Sequence, residues 1–235
     1  MPNFTPKLFF VVGSKNKLKR FKENETFPNV IQPTREEVVS GNFSLKGKWN
    51  QEIFKNNNPI VLELGCGKGE YSVGLAQKYP NKNFIGIDIK GARFWRGAKT
   101  AIEENLTNVA FIRTQIELIE FIFAEKEVDE IWITFPDPQI KYKRTKHRLT
   151  NAEFLQRYKK ILKNDGIVHL KTDSEFMHGY TLGLLHGQNH EVLYANHNVY
   201  KNEGAPEVVT SIQTFYEQQY LEENKAITYM QFKIK

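Results

Sequence analysis

The sequence predicts an α/β protein: a doubly wound, mostly parallel seven-stranded sheet with helices on both faces, preceded by an N-terminal extension. Three observations predict it. From Ile60 onward, short apolar runs alternate with helical stretches, the pattern of parallel strands joined by crossover helices. The first run, Ile60–Leu64, breaks into three glycines at alternate positions, Gly65, Gly67 and Gly69, and a helical stretch opens at Glu70. Acidic and polar residues then recur where each later strand stops, the edge at which open α/β sheets bind ligands.

The elements follow in order. Strands are expected at Ile60–Leu64, Asn83–Asp88, Val109–Arg113, Glu130–Phe135 and Gly166–Lys171. Helices are expected at Glu70–Tyr79, Ala92–Asn105, Ile116–Glu125, Asn151–Leu162 and Glu175–Leu185, with Asn151 as an N-cap. Glu191–Tyr194 and Ile227–Ile234 read as a closing pair of strands. The strand ends then gather Gly65–Gly69, Asp88, Thr114–Gln115, Phe135–Pro138 and Thr172–Ser174 at one edge.

Residues 1–48 are read as a basic extension and 49–235 as the domain. Within the extension Lys15, Lys17, Lys19, Arg20 and Lys22 make a cationic run, either a solvated tail or a nucleic-acid arm. Pro28 and Pro33 argue against a helix through Phe27–Thr34. The apolar run Leu8–Val12 is too short for a signal peptide. No stretch approaches the roughly 18 apolar residues of a membrane span, so a cytoplasmic protein with no membrane contact is expected. The single cysteine, Cys66, excludes internal disulfides and a cysteine zinc site. Its place inside the glycine turn suits packing better than nucleophilic chemistry. Net charge is +6, from 33 Lys+Arg against 27 Asp+Glu, which suggests an anionic partner.

The glycine turn lets backbone N–H groups approach a ligand at a helix N-terminus. It misses the dinucleotide fingerprint Gly-x-Gly-x-x-Gly, because the third glycine comes one residue early and Glu70 occupies its place. Glu63 stands two residues before the first glycine, and a carboxylate there can hold an ammonium group. Asp88, about twenty residues on, can bind both hydroxyls of a ribose. A tight turn with a loop acid is the plainer alternative. Acid-x-Gly-x-Gly-x-Gly resembles the first motif of class I S-adenosylmethionine (SAM) methyltransferases.

After the fourth strand comes Phe135-Pro136-Asp137-Pro138, then Lys141–Arg148 with five cations, one tyrosine and one histidine. The prolines fix the backbone around Asp137. A rigid aspartate beside a dense basic loop suits an enzyme that seats a base and grips its phosphates. The alternative is a proline turn followed by a solvated charge run.

With Lys171-Thr172-Asp173 and Thr214-Phe215-Tyr216-Glu217, these motifs resemble the bacterial tRNA (guanine-N7)-methyltransferase family over about residues 35–235. That family has a Rossmann-like fold and methylates a guanine in the tRNA variable loop. The resemblance implies SAM as cofactor and tRNA as partner. It implies that Glu63, Gly65, Asp88, Gln115 and Asp137 line the cofactor and that Asp137 is catalytic. It implies substrate contacts from Lys141, Asp173, Thr214, Phe215, Tyr216 and Glu217, and an RNA-contacting loop of Lys143, Arg144, Lys146, His147 and Arg148. The chain departs from the family pattern at Gln115-Ile116, commonly Asp-Ala, and at Gln139-Ile140, commonly Trp-Pro. At His147 the family has arginine. Gln115 can still accept from an adenine amino group through its amide oxygen.

Other residues carry less. Asp173 can alternatively cap the helix near Glu175. His169 reads as a sheet-face histidine, and the remaining histidines lack ligand spacing, so no metal is expected. Trp95 and Trp132 read as packing residues, and Trp49 as packing or near the cofactor cleft. The competing functions are a methyltransferase of a small molecule, a protein or another RNA, a non-catalytic RNA-binding methyltransferase fold, and a nucleotide-dependent oxidoreductase. Oligomeric state is not legible.

Overall fold

The computed structural model describes residues 15–235, so the Leu8–Val12 run lies outside the described residues. Five parallel strands form the centre: β2 (Ile60–Leu64), β3 (Asn83–Asp88), β4 (Val109–Arg113), β5 (Val128–Thr134) and β6 (Leu162–Thr172). β8 (Thr228–Lys233) lies antiparallel to β6, and β7 (Glu191–Asn196) antiparallel to β8. A two-residue strand, β1 (Val30–Ile31), pairs parallel with β4 and makes the sheet eight-stranded, one more than expected. The order is β1-β4-β3-β2-β5-β6-β8-β7. The chain moves outward from β2 through β3 to β4, then returns to place β5 on the other side of β2. The switch point therefore lies between the ends of β2 and β5, where open α/β sheets leave a crevice for a ligand.

Strand residues divide by the period of two. Leu62, Leu64, Ile85, Ile87, Ala110, Ile112 and Ile131 pack in one cluster with Phe154, Leu155 and Tyr158 of α6 (Ala152–Ile161) and Met177 of α7 (Glu175–Gly187). Val61, Phe84, Val109, Phe111 and Trp132 face the other way, onto α3 (Glu70–Lys78) and α4 (Gly91–Glu103). His169 lies in this second layer, its ring parallel to Trp132 at 4.0 Å and bonded to the Tyr229 hydroxyl at 2.8 Å. Burial pushes its pKa down to about 3, so it packs as a neutral ring.

The extension is built onto the domain. α1 (Lys15–Asn24) lies against α4: the Trp95 indole N–H donates to Glu23 at 2.6 Å, and the Arg20 guanidinium sits 4.8 Å from the Trp95 ring. The cationic run expected as a tail or arm is thus a docked helix over its described residues. α2 (Arg35–Val39) starts in a Thr34–Glu37 capping box and buries Val38. Trp49 is a packing residue only, stacked on Phe123 at 5.4 Å with its indole N–H on the Ile122 carbonyl.

Two regions differ from expectation. The helix expected over Ile116–Glu125 is a 3-10 turn, Ile116–Leu118, followed by the single turn α5 (Ile119–Ile122). Two short helices, α8 (Glu207–Ser211) and α9 (Phe215–Glu222), occupy a stretch with no apolar periodicity. α9 buries only Glu217, so it has no apolar stripe to announce it. Among the described residues no helix is long and apolar enough to cross a membrane.

Candidate active site

The glycine turn is set by its backbone. Gly65, Gly67 and Gly69 have φ of 76°, 55° and 76°, the left-handed region open to glycine. A Cβ on Gly69 would meet the Phe111 ring at 2.6 Å, so the turn lies directly on the core. The N–H groups of Gly65 and Cys66 both reach the Ile87 carbonyl, at 2.8 and 3.0 Å, which ties the turn to β3. Cys66 is buried, and burial pushes its thiol pKa up, consistent with packing.

Two acids sit beneath this turn. Glu63, on β2, accepts from the Ser72 N–H at 2.9 Å, from the Ser72 hydroxyl, and from the Thr134 hydroxyl at 2.6 Å. Burial raises its pKa to about 7, against the pull of those hydrogen bonds and with a further push from Asp88. Asp88 accepts from the Gly67 N–H at 3.1 Å and the Lys90 N–H at 2.8 Å. Neither acid has an ion-pair partner among the described residues. The nearest buried cation is Lys171, whose charged form Glu63 favours from a distance. Beside Ile89, a cavity of about 320 Å³ is lined by Arg113, Thr114, Gln115 and Leu118 and walled by Gln32, Pro33 and Arg35 of the extension. Arg35 donates to the Gln115 amide oxygen at 2.8 Å, so the oxygen expected to receive an adenine amino group already holds one donor.

Across the switch point, β5 ends in an unusual turn. Phe135 and Gln139 both have left-handed φ, 48° and 46°, which is strained for residues with a Cβ. They bracket Pro136-Asp137-Pro138. The Phe135 N–H is held by the Lys171 carbonyl at 2.8 Å, and its ring packs 5.8 Å from Tyr220. Asp137 is exposed, with one carboxylate oxygen accepting the Gln139 N–H at 3.0 Å and the other open. Asp173 leaves the neighbouring strand, β6, half-buried, and burial raises its pKa. Ser174, not Asp173, caps α7 by accepting the Met177 N–H, so Asp173 is not the helix cap.

The basic loop divides into two parts. Lys143, Arg144, Lys146 and His147 are exposed on a 3-10 turn, Tyr142–His147, and Lys141 is exposed just before it. Arg148 departs from its expected place in an RNA-contacting surface, being 6% exposed. Its guanidinium donates to the carbonyls of Pro138 at 3.2 Å, Gln139 at 3.0 and 3.2 Å, and Ile140 at 3.3 Å, and lies against the rings of both Phe176 and Tyr180, which stack on each other. It braces the turn that presents Asp137, where the family pattern places Trp-Pro.

The Thr214–Glu217 stretch also divides. Thr214 caps α9, and Glu217 completes the capping box while ion-pairing with Lys171 and accepting from the Tyr200 hydroxyl at 2.8 Å. Both are buried, with their side chains engaged by protein. Phe215 and Tyr216 remain exposed beside the glycine turn. The Lys68 ammonium lies 3.4 Å over the Phe215 ring, and Glu70 accepts the Phe215 N–H at 3.0 Å. Sequence reasoning missed Arg35, Ser72, Thr134, Tyr200 and Lys68. Only Thr134 carried a signal, lying one residue before the Phe135 turn.

Comparison with known proteins places this geometry. The family described as "Putative methyltransferase" matches residues 57–230. At 76% identity over 224 residues, 95% of this chain and 100% of the relative, the chain is similar to a tRNA (guanine-N(7)-)-methyltransferase of Christiangramia forsetii. The chain belongs to the tRNA (guanine-N(7)-)-methyltransferase family. A member from Bacteroides thetaiotaomicron is 48% identical over 94% of this chain and 86% of its own length. Among solved structures, a SAM dependent methyltransferase from Aquifex aeolicus is 14% identical over 93% of this chain and 98% of its own, with a TM-score of 0.53. The 16S rRNA methyltransferase KamB is 12% identical over 79% and 92%, with a TM-score of 0.60. Those two share the fold, that of class I methyltransferases. In this tRNA (guanine-N(7)-)-methyltransferase family member the glycine turn, the Asp137 turn and the basic loop all leave one sheet edge.

Proposed function

We propose that the chain transfers the methyl group of SAM to N7 of a guanine in the variable loop of tRNA. One observation carries this reading: two buried acids at the ends of β2 and β3 lie at the same sheet edge as an exposed, braced aspartate at the end of β5, and a basic loop rises from that edge. The donor set fits SAM, which is cationic at both its ammonium and its sulfonium. Glu63, Gly65 and Asp88 would hold it, with Ile89 and Gln115 beside its adenine. Bound there, SAM supplies a methyl group on a positively charged sulfur.

Guanine N7 has an in-plane lone pair and no proton, so the chain needs no general base. Its residues must orient N7 in line with the methyl group at near-attack distance. Asp137 is placed to accept from guanine N1–H and N2–H₂ through its open oxygen. Its charge stabilises the positive charge that moves onto the purine. Asp173 follows β6, the strand next to β5, at the same edge. Lys141, Lys143 and Lys146 are placed to hold phosphates.

The test is methylation of an unmodified tRNA transcript with labelled SAM, followed by nucleoside identification. 7-Methylguanosine is the expected product. Another nucleoside, or none, would overturn the reading.

A further inference from the structure

We propose that Tyr142 is a stacking platform for a nucleobase of the RNA substrate, the base adjacent to the methylated guanine. This rests on the reading of the chain as a tRNA methyltransferase.

Tyr142 is 91% exposed, and no ring or cation stacks on it among the described residues. A single exposed aromatic is ordinary on a surface. This one differs in its mounting. It opens the 3-10 turn Tyr142–His147, its carbonyl accepts the Thr145 hydroxyl at 2.8 Å, and the Arg144 N–H returns to the Lys141 carbonyl at 2.8 Å. Immediately upstream, Arg148 holds the backbone of residues 138–140. The ring therefore projects from a fixed stem, and less freedom is lost when something stacks on it.

The turn also sorts its side chains. A 3-10 helix repeats every three residues, so Tyr142 and Thr145 share one face while Lys143 and Lys146 share the next. Neither lysine has an ion-pair partner among the described residues. An unpartnered ring beside an unpartnered cationic face matches a single-stranded nucleic acid, with phosphates on the lysines and a base on the ring. The chemistry needs such a surface. Bringing guanine N7 in line with a methyl group at the sheet edge takes the base out of its stack and uncovers the face of its neighbour. Tyr142 leaves the same edge, five residues after Asp137, and can cover that face.

The test uses the full chain and an unmodified tRNA transcript, with affinity measured across a salt series. Tyr142→Ala should lower tRNA affinity roughly 10- to 100-fold, the loss expected for one base–aromatic stack. The slope of log affinity against log salt should not change, because no phosphate contact is removed. SAM affinity should also be unchanged. Tyr142→Phe keeps the ring and should bind within about twofold of wild type. Tyr142→Trp should show an emission loss on adding tRNA that exceeds the wild-type change. An alanine variant with wild-type affinity, a flattened slope, or no extra emission change in the Trp variant would overturn the proposal while wild type still binds and methylates tRNA. Wild-type protein that binds no tRNA would overturn the functional reading with it.

Discussion

Lys171 and Glu217 form an ion pair 2.7 Å long with neither side chain open to solvent. Lys171 lies one residue before the end of β6, its carbonyl holding the Phe135 N–H, and Glu217 is the third residue of α9. The pair bolts α9 to the sheet edge, and the Ile212 carbonyl and Tyr200 hydroxyl complete its hydrogen bonds. Burial pulls the Lys171 pKa down and Glu217 opposes that pull. Lys171→Met would leave Glu217 buried without its cation. Urea denaturation should show a loss of about 3–5 kcal/mol, whereas replacing both partners with apolar residues should recover much of it. A single variant as stable as wild type would mean that α9 is held by other contacts.

Glu63 makes cofactor binding depend on pH. Its pKa is about 7 in the folded protein, because burial outweighs the hydrogen bonds from Ser72 and Thr134. A bound ammonium or sulfonium would favour the carboxylate and expel its proton. SAM affinity should therefore rise as pH increases from about 5.5 to about 7, approaching tenfold per unit at the acid end, and then level off. Glu63→Gln should bind more weakly and with a flat profile over that range. The unliganded protein should show the opposite trend. Folded Glu63 keeps a proton that the unfolded chain, with the ordinary glutamate value of 4.5, has given up, so stability falls as pH rises between 4.5 and about 7. Calorimetry of binding and thermal melts across that window measure the two trends.

Asp137→Asn isolates charge from shape. An asparagine oxygen still accepts the Gln139 N–H, so the turn survives. Turnover should fall roughly a hundredfold or more as preorganised charge is lost, with SAM affinity changed far less. Single-turnover methylation beside SAM calorimetry separates the two. Near-normal turnover would reduce Asp137 to a turn residue.

The central sheet was legible in the sequence because its strands are buried on both faces and read as continuous apolar runs. Ile60–Leu64, Asn83–Asp88 and Val109–Arg113 fall where the pattern puts them. β1 was not legible: two half-buried residues carry no period, and only pairing with Phe111 and Ile112 makes them a strand. The backbone around the site was legible in its glycines and prolines. What the charges do was not. Arg148 and Lys146 look alike in a basic run, yet one is buried in the loop and the other faces solvent. Thr-x-x-Glu is the signature of a capping box, but it does not show that Glu217 is buried in an ion pair while the aromatic pair faces outward. That depends on Lys171, 46 residues from Glu217 in sequence.

The basic loop yields a prediction that separates its two kinds of cation. Lys143 and Lys146 project from one face of the 3-10 turn, placed to neutralise phosphates. Each phosphate contact releases condensed counterions and contributes about −0.7 to −0.9 to the slope of log affinity against log salt. Replacing both with alanine should flatten that slope by roughly 1.5 units and weaken tRNA binding at low salt, with SAM binding and melting temperature kept. Arg148→Ala should do the reverse. It removes no phosphate contact, so the slope stays. It also frees the carbonyls of Pro138, Gln139 and Ile140 and removes the cation that lies against the Phe176 and Tyr180 rings. Asp137 then sits on an unbraced turn, and turnover should fall more than tRNA affinity, with a lower melting temperature. Arg148→Lys should recover little, because an ammonium cannot fork to several carbonyls or stack as a plane. A salt slope that flattens in Arg148→Ala would show that the guanidinium swings out to meet RNA and that its buried position is not the one that binds.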